Sequence, residues 1–83
     1  MSGRLVKITA PLSGTFYASP SPESPPFVQV GQRVSAGEVL CIIESMKVFT
    51  ELRTEYAGAI SQIFMEDEDP VTRNQELIEL ELD

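Results

Sequence analysis

The sequence has no histidine and no tryptophan, a single cysteine (Cys41) and only two lysines, Lys7 and Lys47. Without histidine the chain lacks the side chain that most often shuttles protons near neutrality and most often binds transition metals. One cysteine excludes an internal disulfide and a paired-cysteine metal site. Cys41 has no neighbouring base to make it a thiolate nucleophile, and its place in the apolar run 39–43 marks it as a core residue.

That run is the longest unbroken apolar stretch, far short of the roughly 20 residues a membrane helix needs. The opening Met1-Ser2-Gly3-Arg4 shows no apolar signal segment. No membrane association is expected, and the expected location is cytoplasmic, or plastid if a transit peptide has been removed. Positive charge is also scarce: 6 basic residues face 13 acidic ones, leaving a net charge of −7. Such a surface repels phosphate backbones and anionic headgroups, so nucleic-acid binding is not expected. There is no phosphate-cradling glycine loop. Glu66-Asp67-Glu68-Asp69 lacks the alternating ligands and closing glutamate of a calcium loop, so it reads as a solvated acidic turn, with no metal site expected. Self-contained catalysis is not expected from this inventory.

What remains is 83 residues, 42% of them hydrophobic, enough for one domain over 1–83 with one modest core. No window places apolar residues at helical spacing behind a capping signal. Short runs rich in Val, Ile, Thr and Phe, punctuated by Gly and Pro, predict an all-β chain with strands at 5–10, 14–17, 27–30, 38–45, 48–53, 58–64 and 76–82. In the last of these Ile78, Leu80 and Leu82 alternate with Glu79 and Glu81, which predicts one face in the core and one in water. Gly31, Gly37, Gly58 and Asp69-Pro70 read as turn residues.

The chain also repeats itself. Val34, Leu40 and Ile43 match Val71, Leu77 and Leu80 at a constant offset of 37 residues, as Phe27 matches Phe64. Nearer the N-terminus the offset is 44, since Gly14 matches Gly58 and Phe16 matches Ile60, so the first copy carries 7 extra residues between Phe16 and Phe27. Those residues lie in the Pro/Ser segment 19–26. Two copies of four short strands each predict a flattened β-barrel or sandwich with pseudo-twofold symmetry, from one half of which the insert protrudes.

The junction of the two copies falls at Glu44-Ser45-Met46-Lys47, between two good strands, and a tight hairpin there puts Met46 and Lys47 at its tip. Asn-Gly or Asp-Gly is the usual chemistry of a two-residue hairpin turn, so a large apolar residue followed by lysine is a local misfit of the kind that marks function. Taken alone, Met-Lys would be a solvated lysine beside a half-exposed methionine.

In its setting, Cys41-Ile42-Ile43-Glu44-Ser45-Met46-Lys47-Val48, the segment resembles the biotinyl (biotin/lipoyl attachment) domains of the carrier subunits of bacterial and plastid acetyl-CoA carboxylases. The likeness runs from Ile8-Thr9-Ala10-Pro11-Leu12-Ser13-Gly14-Thr15-Phe16-Tyr17 to Glu76-Leu77-Ile78-Glu79-Leu80-Glu81. It implies that biotin is carried in amide linkage on Lys47. It also implies that Met46, Glu44, Ser45 and Val48 form the surface by which a biotin protein ligase chooses this lysine over Lys7. The insert resembles the thumb of bacterial-type carriers, which puts Thr15, Tyr17, Ser19, Pro20, Ser21 and Pro22 near the biotin ring, with the thumb spanning about 17–26 and the biotin hairpin about 44–49. Where the family usually has Met or Leu after the modified lysine, this chain has Val48 and Phe49.

The implied role is that of a non-catalytic biotin carboxyl carrier, shuttling a carboxyl group from a biotin carboxylase subunit to carboxyltransferase subunits to make malonyl-CoA for fatty acid synthesis. The isolated domain is expected to be monomeric. One rival is a lipoyl carrier, which shares the barrel and the hairpin lysine but has Asp where this chain has Met46. Another is an unmodified barrel serving as a protein-interaction module, with Pro22-Glu23-Ser24-Pro25 as a P-x-x-P ligand.

Overall fold

In the computed structural model, which describes residues 3–83, eight strands follow one another along the chain. They are β1 (Leu5–Thr9), β2 (Gly14–Tyr17), β3 (Arg33–Val34), β4 (Val39–Ser45), β5 (Val48–Arg53), β6 (Gly58–Ile63), β7 (Pro70–Val71) and β8 (Glu76–Leu82). They form two antiparallel four-stranded sheets, ordered β1-β8-β6-β3 and β5-β4-β2-β7. Exchanging β1 with β5, β2 with β6, β3 with β7 and β4 with β8 turns one order into the other, and each sheet takes two strands from each copy, so the pseudo-twofold sandwich is built from interleaved copies. The all-β, two-copy architecture expected from the sequence is present.

The equivalence reaches single hydrogen bonds. Gly37 N–H donates to Thr54 O at 2.7 Å, and its counterpart Asn74 N–H donates to Ala10 O at 2.8 Å. Gly31 N–H donates to Ile60 O at 2.8 Å, as Glu68 N–H does to Phe16 O at 2.7 Å. Both members of each pair hold positive φ: 95° at Gly37 and 73° at Asn74, 92° at Gly31 and 71° at Glu68. The corner needs left-handed backbone in both copies, but only one copy meets it with glycine.

The core draws on both sheets equally. Phe16, Leu40, Cys41 and Ile43 are buried on one side, and Ile60, Leu77, Ile78 and Leu80 on the other. Each such aliphatic or aromatic side chain contributes about 1.5–3 kcal/mol by leaving water. Leu40-Cys41 and Leu77-Ile78 are adjacent pairs that both point inward, which a regular strand forbids. A β-bulge between Val39 and Cys41, repeated where β1 meets β8 between Ile8 and Thr9, adds the residue that lets both turn in. Burial also pushes the Cys41 thiol up to about 12, so it stays protonated and inert.

Four sequence expectations need correction. Residues 27–30 are not a strand: Phe27 N–H is spent on Ala18 O at 2.8 Å and Gln29 N–H on Gln32 Oε1 at 3.1 Å, so no ladder can form, although Val28 is buried. The strands of that region are the two-residue β3 and β7, too short to show alternation. The turn assigned to Asp69-Pro70 falls at Asp67-Glu68, and Pro70 opens β7, an edge strand where a missing N–H is tolerated. Gly58 is not in a turn but begins β6, where an added Cβ would lie 2.4 Å from Glu81 O. Finally, Glu79 is buried and accepts a 2.6 Å hydrogen bond from Ser61 Oγ, because β8 is a central strand covered on both faces over part of its length.

Candidate functional site: the hairpin tip and its groove

Beyond its bulge, from Cys41 onward, the β4–β5 ladder is regular to the end of the hairpin, pairing Ile42 with Glu51, Ile43 with Thr50, Glu44 with Phe49 and Ser45 with Val48. Only Met46 and Lys47 remain for the turn. Both have positive φ, 52° and 65°, as a two-residue turn that matches the twist of its strands requires. For a residue with a Cβ this conformation costs about 1–2 kcal/mol, so the tip is a strained place held by the ladder behind it. Strain aims the two side chains outward. Met46 is 92% exposed, and Val48 and Phe49 are 62% exposed, giving the tip an apolar rim in water around the lysine.

The two lysines differ in their surroundings. Lys7 lies within β1, its Nζ 3.6 Å from Glu76 Oε1. Lys47 is exposed and, among the described residues, enters no ion pair, which leaves its amine open to an approaching enzyme.

Below the tip, Glu44 is fixed by Tyr17, whose hydroxyl donates to Glu44 Oε1 at 3.0 Å. This bond, followed by partial desolvation and the charges of Glu44, Glu68 and Asp67, raises the Tyr17 pKa above its ordinary value of 10.0. The Tyr17 ring also tilts against Phe49, centroids 6.4 Å apart. Beside them a groove of about 180 Å³ runs under the thumb, lined by Tyr17, Ser19, Pro20, Ser21, Pro22, Ile42, Phe49, Asp67 and Glu68.

The thumb is folded on itself. Ser24 N–H donates to Ser21 O at 3.1 Å, the Ser21 and Ser24 hydroxyls lie 2.8 Å apart, and Ser19 Oγ donates to Ser21 O at 2.9 Å. Pro22-Glu23 therefore sits in a turn, not in the extended polyproline conformation that a P-x-x-P ligand presents.

Of the expected site residues, Tyr17 and Ser19 to Pro22 meet in one groove, while Glu44, Ser45, Met46, Lys47 and Val48 make up the hairpin end. Thr15 faces Glu44 in the β2–β4 ladder and does not line the groove. Ile42, Phe49, Asp67 and Glu68 line it although sequence reasoning did not select them. A signal for the last two exists: at the 37-residue offset they stand opposite Val30 and Gly31, a break in the repeat.

A model of the family described as biotin-requiring enzymes, the biotin/lipoyl attachment domains, matches residues 6–80. The chain belongs to that family. Its cofactor is biotin. The tip presents an exposed lysine with no ion pair among the described residues, and the neighbouring groove is lined by apolar, hydroxyl and carboxylate side chains. The biotin carboxyl carrier protein of acetyl-CoA carboxylase from Haemophilus influenzae is 43% identical over 81 residues, covering 98% of this chain and 51% of its own length. The protein of the same name from Cyanidium caldarium is 44% identical, covering 95% of this chain and 52% of its own length. A chloroplastic one from Arabidopsis thaliana is 44% identical over 82% of this chain and 24% of its own length. The chain thus spans between about a quarter and about half of these relatives. Among solved structures, a single-chain, multi-domain long-chain acyl-CoA carboxylase superposes with a TM-score of 0.81 at 19% identity, over 95% of this chain and 7% of that one. The urea carboxylase of Kluyveromyces lactis does so with 0.77 at 22% identity, over 93% and 6%. These two likenesses bear on the fold alone.

Proposed function

We propose that Lys47 is the residue that carries biotin, and that this chain is the carboxyl carrier of an acetyl-CoA carboxylase. The observation that carries the reading is the Met46-Lys47 turn: two side chains in left-handed backbone, presented by the regular end of the ladder, one of them an amine with no ion-pair partner among the described residues. A biotin protein ligase would bring biotin activated by ATP as a mixed anhydride with AMP, and the Lys47 nitrogen would attack its carboxyl carbon, expelling AMP and losing a proton, so that the amide closes and the arm's positive charge is lost. Met46, Val48 and Phe49 supply the exposed apolar contact for that enzyme, and Glu44, oriented by Tyr17, supplies the fixed charge. Once attached, biotin supplies a ring able to take up and give up a carboxyl group.

The chain's own residues then do only placement. The ladder keeps the arm's root rigid, the barrel offers a surface, and a linker in the longer protein would hold both within reach of the biotin carboxylase and carboxyltransferase subunits. Tethering of this kind raises the local concentration to about the mM range, so no tight docking is needed. Bases, metal ions and nucleotide belong to those partners, which accounts for a carrier without a single histidine. The same chemistry serves a bacterial cytoplasm and a plastid.

The test is intact mass and peptide mapping after incubation with biotin protein ligase, ATP and biotin. One biotinyl group at Lys47 is expected, none in Lys47→Arg, and no change in Lys7→Arg. Modification at Lys7, or by a lipoyl ligase in preference to the biotin enzyme, overturns the reading.

A further inference from the structure

The thumb belongs to the first copy of the repeat, but one of its fastenings comes from the second. Ala18 N–H, at the root of the thumb, donates to Asp67 Oδ1 at 2.8 Å across 49 residues of sequence. Asp67 is not free to wander. Glu68 N–H on its C-terminal side donates to Phe16 O, Phe16 N–H returns a bond to Asp69 O at 2.8 Å, and Asp69 Oδ2 accepts Glu66 N–H at 2.8 Å. The turn 66–69 is thereby clamped to the end of β2, with the Asp67 carboxylate placed where β2 leaves the sheet and the thumb begins. In the other copy the matching residue is Val30, 63% exposed, and there is no thumb for it to reach. The two departures from the repeat, the insert and the acidic turn, therefore meet at one hydrogen bond.

We infer that Asp67 is a positioning residue that latches the thumb over the groove, so that Ser19 to Pro22 stand as a fixed wall beside the lysyl arm. The inference rests on Lys47 being the biotin site for its functional consequence, but not for the latch itself. On the other side of the thumb root, Phe27 N–H closes on Ala18 O at 2.8 Å, so the Ala18 peptide is bound through both its groups. Removing the carboxylate leaves the thumb hinged on the Phe27 bond alone. Asp67 also lines the groove, so its loss opens that rim while releasing the wall opposite Phe49.

The experiment compares wild type, Asp67→Ala and Asp67→Asn by amide solvent-exchange NMR on the unmodified and the biotinylated protein. Asparagine keeps a side-chain oxygen for Ala18 N–H and discards the charge; alanine discards both. In the unmodified protein, Asp67→Ala should speed Ala18 amide exchange about tenfold, as losing a hydrogen bond to a charged acceptor does, with Asp67→Asn staying within about threefold of wild type. In the biotinylated protein, the shifts that modification imposes on Ser19 and Ser21 should fall by at least about half in Asp67→Ala and persist in Asp67→Asn, with Tm unchanged. Unaltered Ala18 exchange in Asp67→Ala, or equal loosening in both variants, overturns the latch. Loosening without loss of the biotin-induced shifts overturns the positioning role. Failure of the ligase to modify Lys47 would instead count against the proposed function, while the unmodified protein still decides the latch.

Discussion

The two copies of the repeat are alike in most of what builds the sandwich, and several of their differences gather around the groove and the hairpin tip. Their strand order, the bulges of the β4–β5 and β8–β1 ladders, their corner hydrogen bonds and most of their buried residues correspond. They differ at the thumb, at the acidic turn that fastens it, at a β6–β8 bulge between Ile60 and Gln62 that β2–β4 lacks, and at the end of the β4–β5 ladder. In one sheet that ladder is closed by Met46-Lys47; in the other, the matching β8–β1 ladder pairs Leu5 with Glu81, and Leu82 N–H donates to Arg4 O at 2.7 Å. Symmetry thus marks most of the scaffold, and the breaks at the thumb, the acidic turn and the hairpin end gather around the groove and the tip.

The comparison fails at its root if the halves do not share the core equally. Phe16→Ala and Ile60→Ala occupy matching positions, both 1% exposed, and should cost about 3–5 and about 2–5 kcal/mol respectively. Chemical denaturation of the two variants checks this, and a loss below about 1 kcal/mol in either would show that one half stands without the other. A sharper contrast comes from Gly14 and Gly58. An added Cβ would meet Glu44 O at 2.2 Å and Glu81 O at 2.4 Å, so each alanine variant forces backbone apart at a cost of about 1–3 kcal/mol. Only Gly14→Ala displaces the residue next to the hairpin end. Equal destabilisation with slowed biotinylation in Gly14→Ala alone is the expected outcome, read from ligase kinetics on the folded variants.

Much of this division was legible in the sequence, because the residues that repeat are the ones that must be buried. Phe16 with Ile60 and Leu40 with Leu77 announced the pseudo-twofold, and the change of offset from 37 to 44 announced the thumb. Lys47 stood out because Met-Lys is poor turn chemistry. What stayed hidden was non-local. Alternation in the last strand could not disclose that a bulge turns Leu77 inward beside Ile78, or that Glu79 finds Ser61. Two-residue strands carry no period at all. Phe49, two residues past the lysine, looked like any exposed strand residue until its ring met Tyr17, and Asp67 lies 49 positions from the amide that it holds.

The strained turn offers a smaller but cleaner contrast. At the corners, left-handed backbone is met by Gly31 and Gly37 in one copy; at the tip it is imposed on Met46 and Lys47. Met46→Gly should therefore raise stability by up to about 1 kcal/mol, since glycine adopts this φ without steric cost and offsets its greater chain entropy. The same change removes the most exposed apolar side chain of the rim, so biotinylation should slow. Stability and modification moving in opposite directions would identify the tip as strain kept for recognition, whereas a loss of both would make Met46 a folding residue.

The smallest effect concerns Tyr17 and its counterpart Ser61. Each donates a hydroxyl to a glutamate, Tyr17 to Glu44 at 3.0 Å and Ser61 to the buried Glu79 at 2.6 Å. Both bonds are part-buried, and Tyr17→Phe should leave the denaturation midpoint close to that of wild type. The more telling readout is titration. A phenol that donates to a carboxylate and sits among like charges holds its proton more tightly in the folded protein than in the unfolded chain. The folded state therefore keeps that proton as the pH rises through 10.0, the ordinary value, while the unfolded chain gives it up; the stabilisation it reports is complete below that pH and fades above it. Tyrosinate absorbance of the native protein should show a late-titrating component that disappears in Tyr17→Phe and moves to lower pH in Glu44→Gln, because the hydrogen bond to Glu44 is the largest cause of the shift. A late component that survives Glu44→Gln unchanged would mean that the phenol answers to desolvation and to the charges of Glu68 and Asp67, and that its bond does not orient Glu44 for the enzyme that must recognise it.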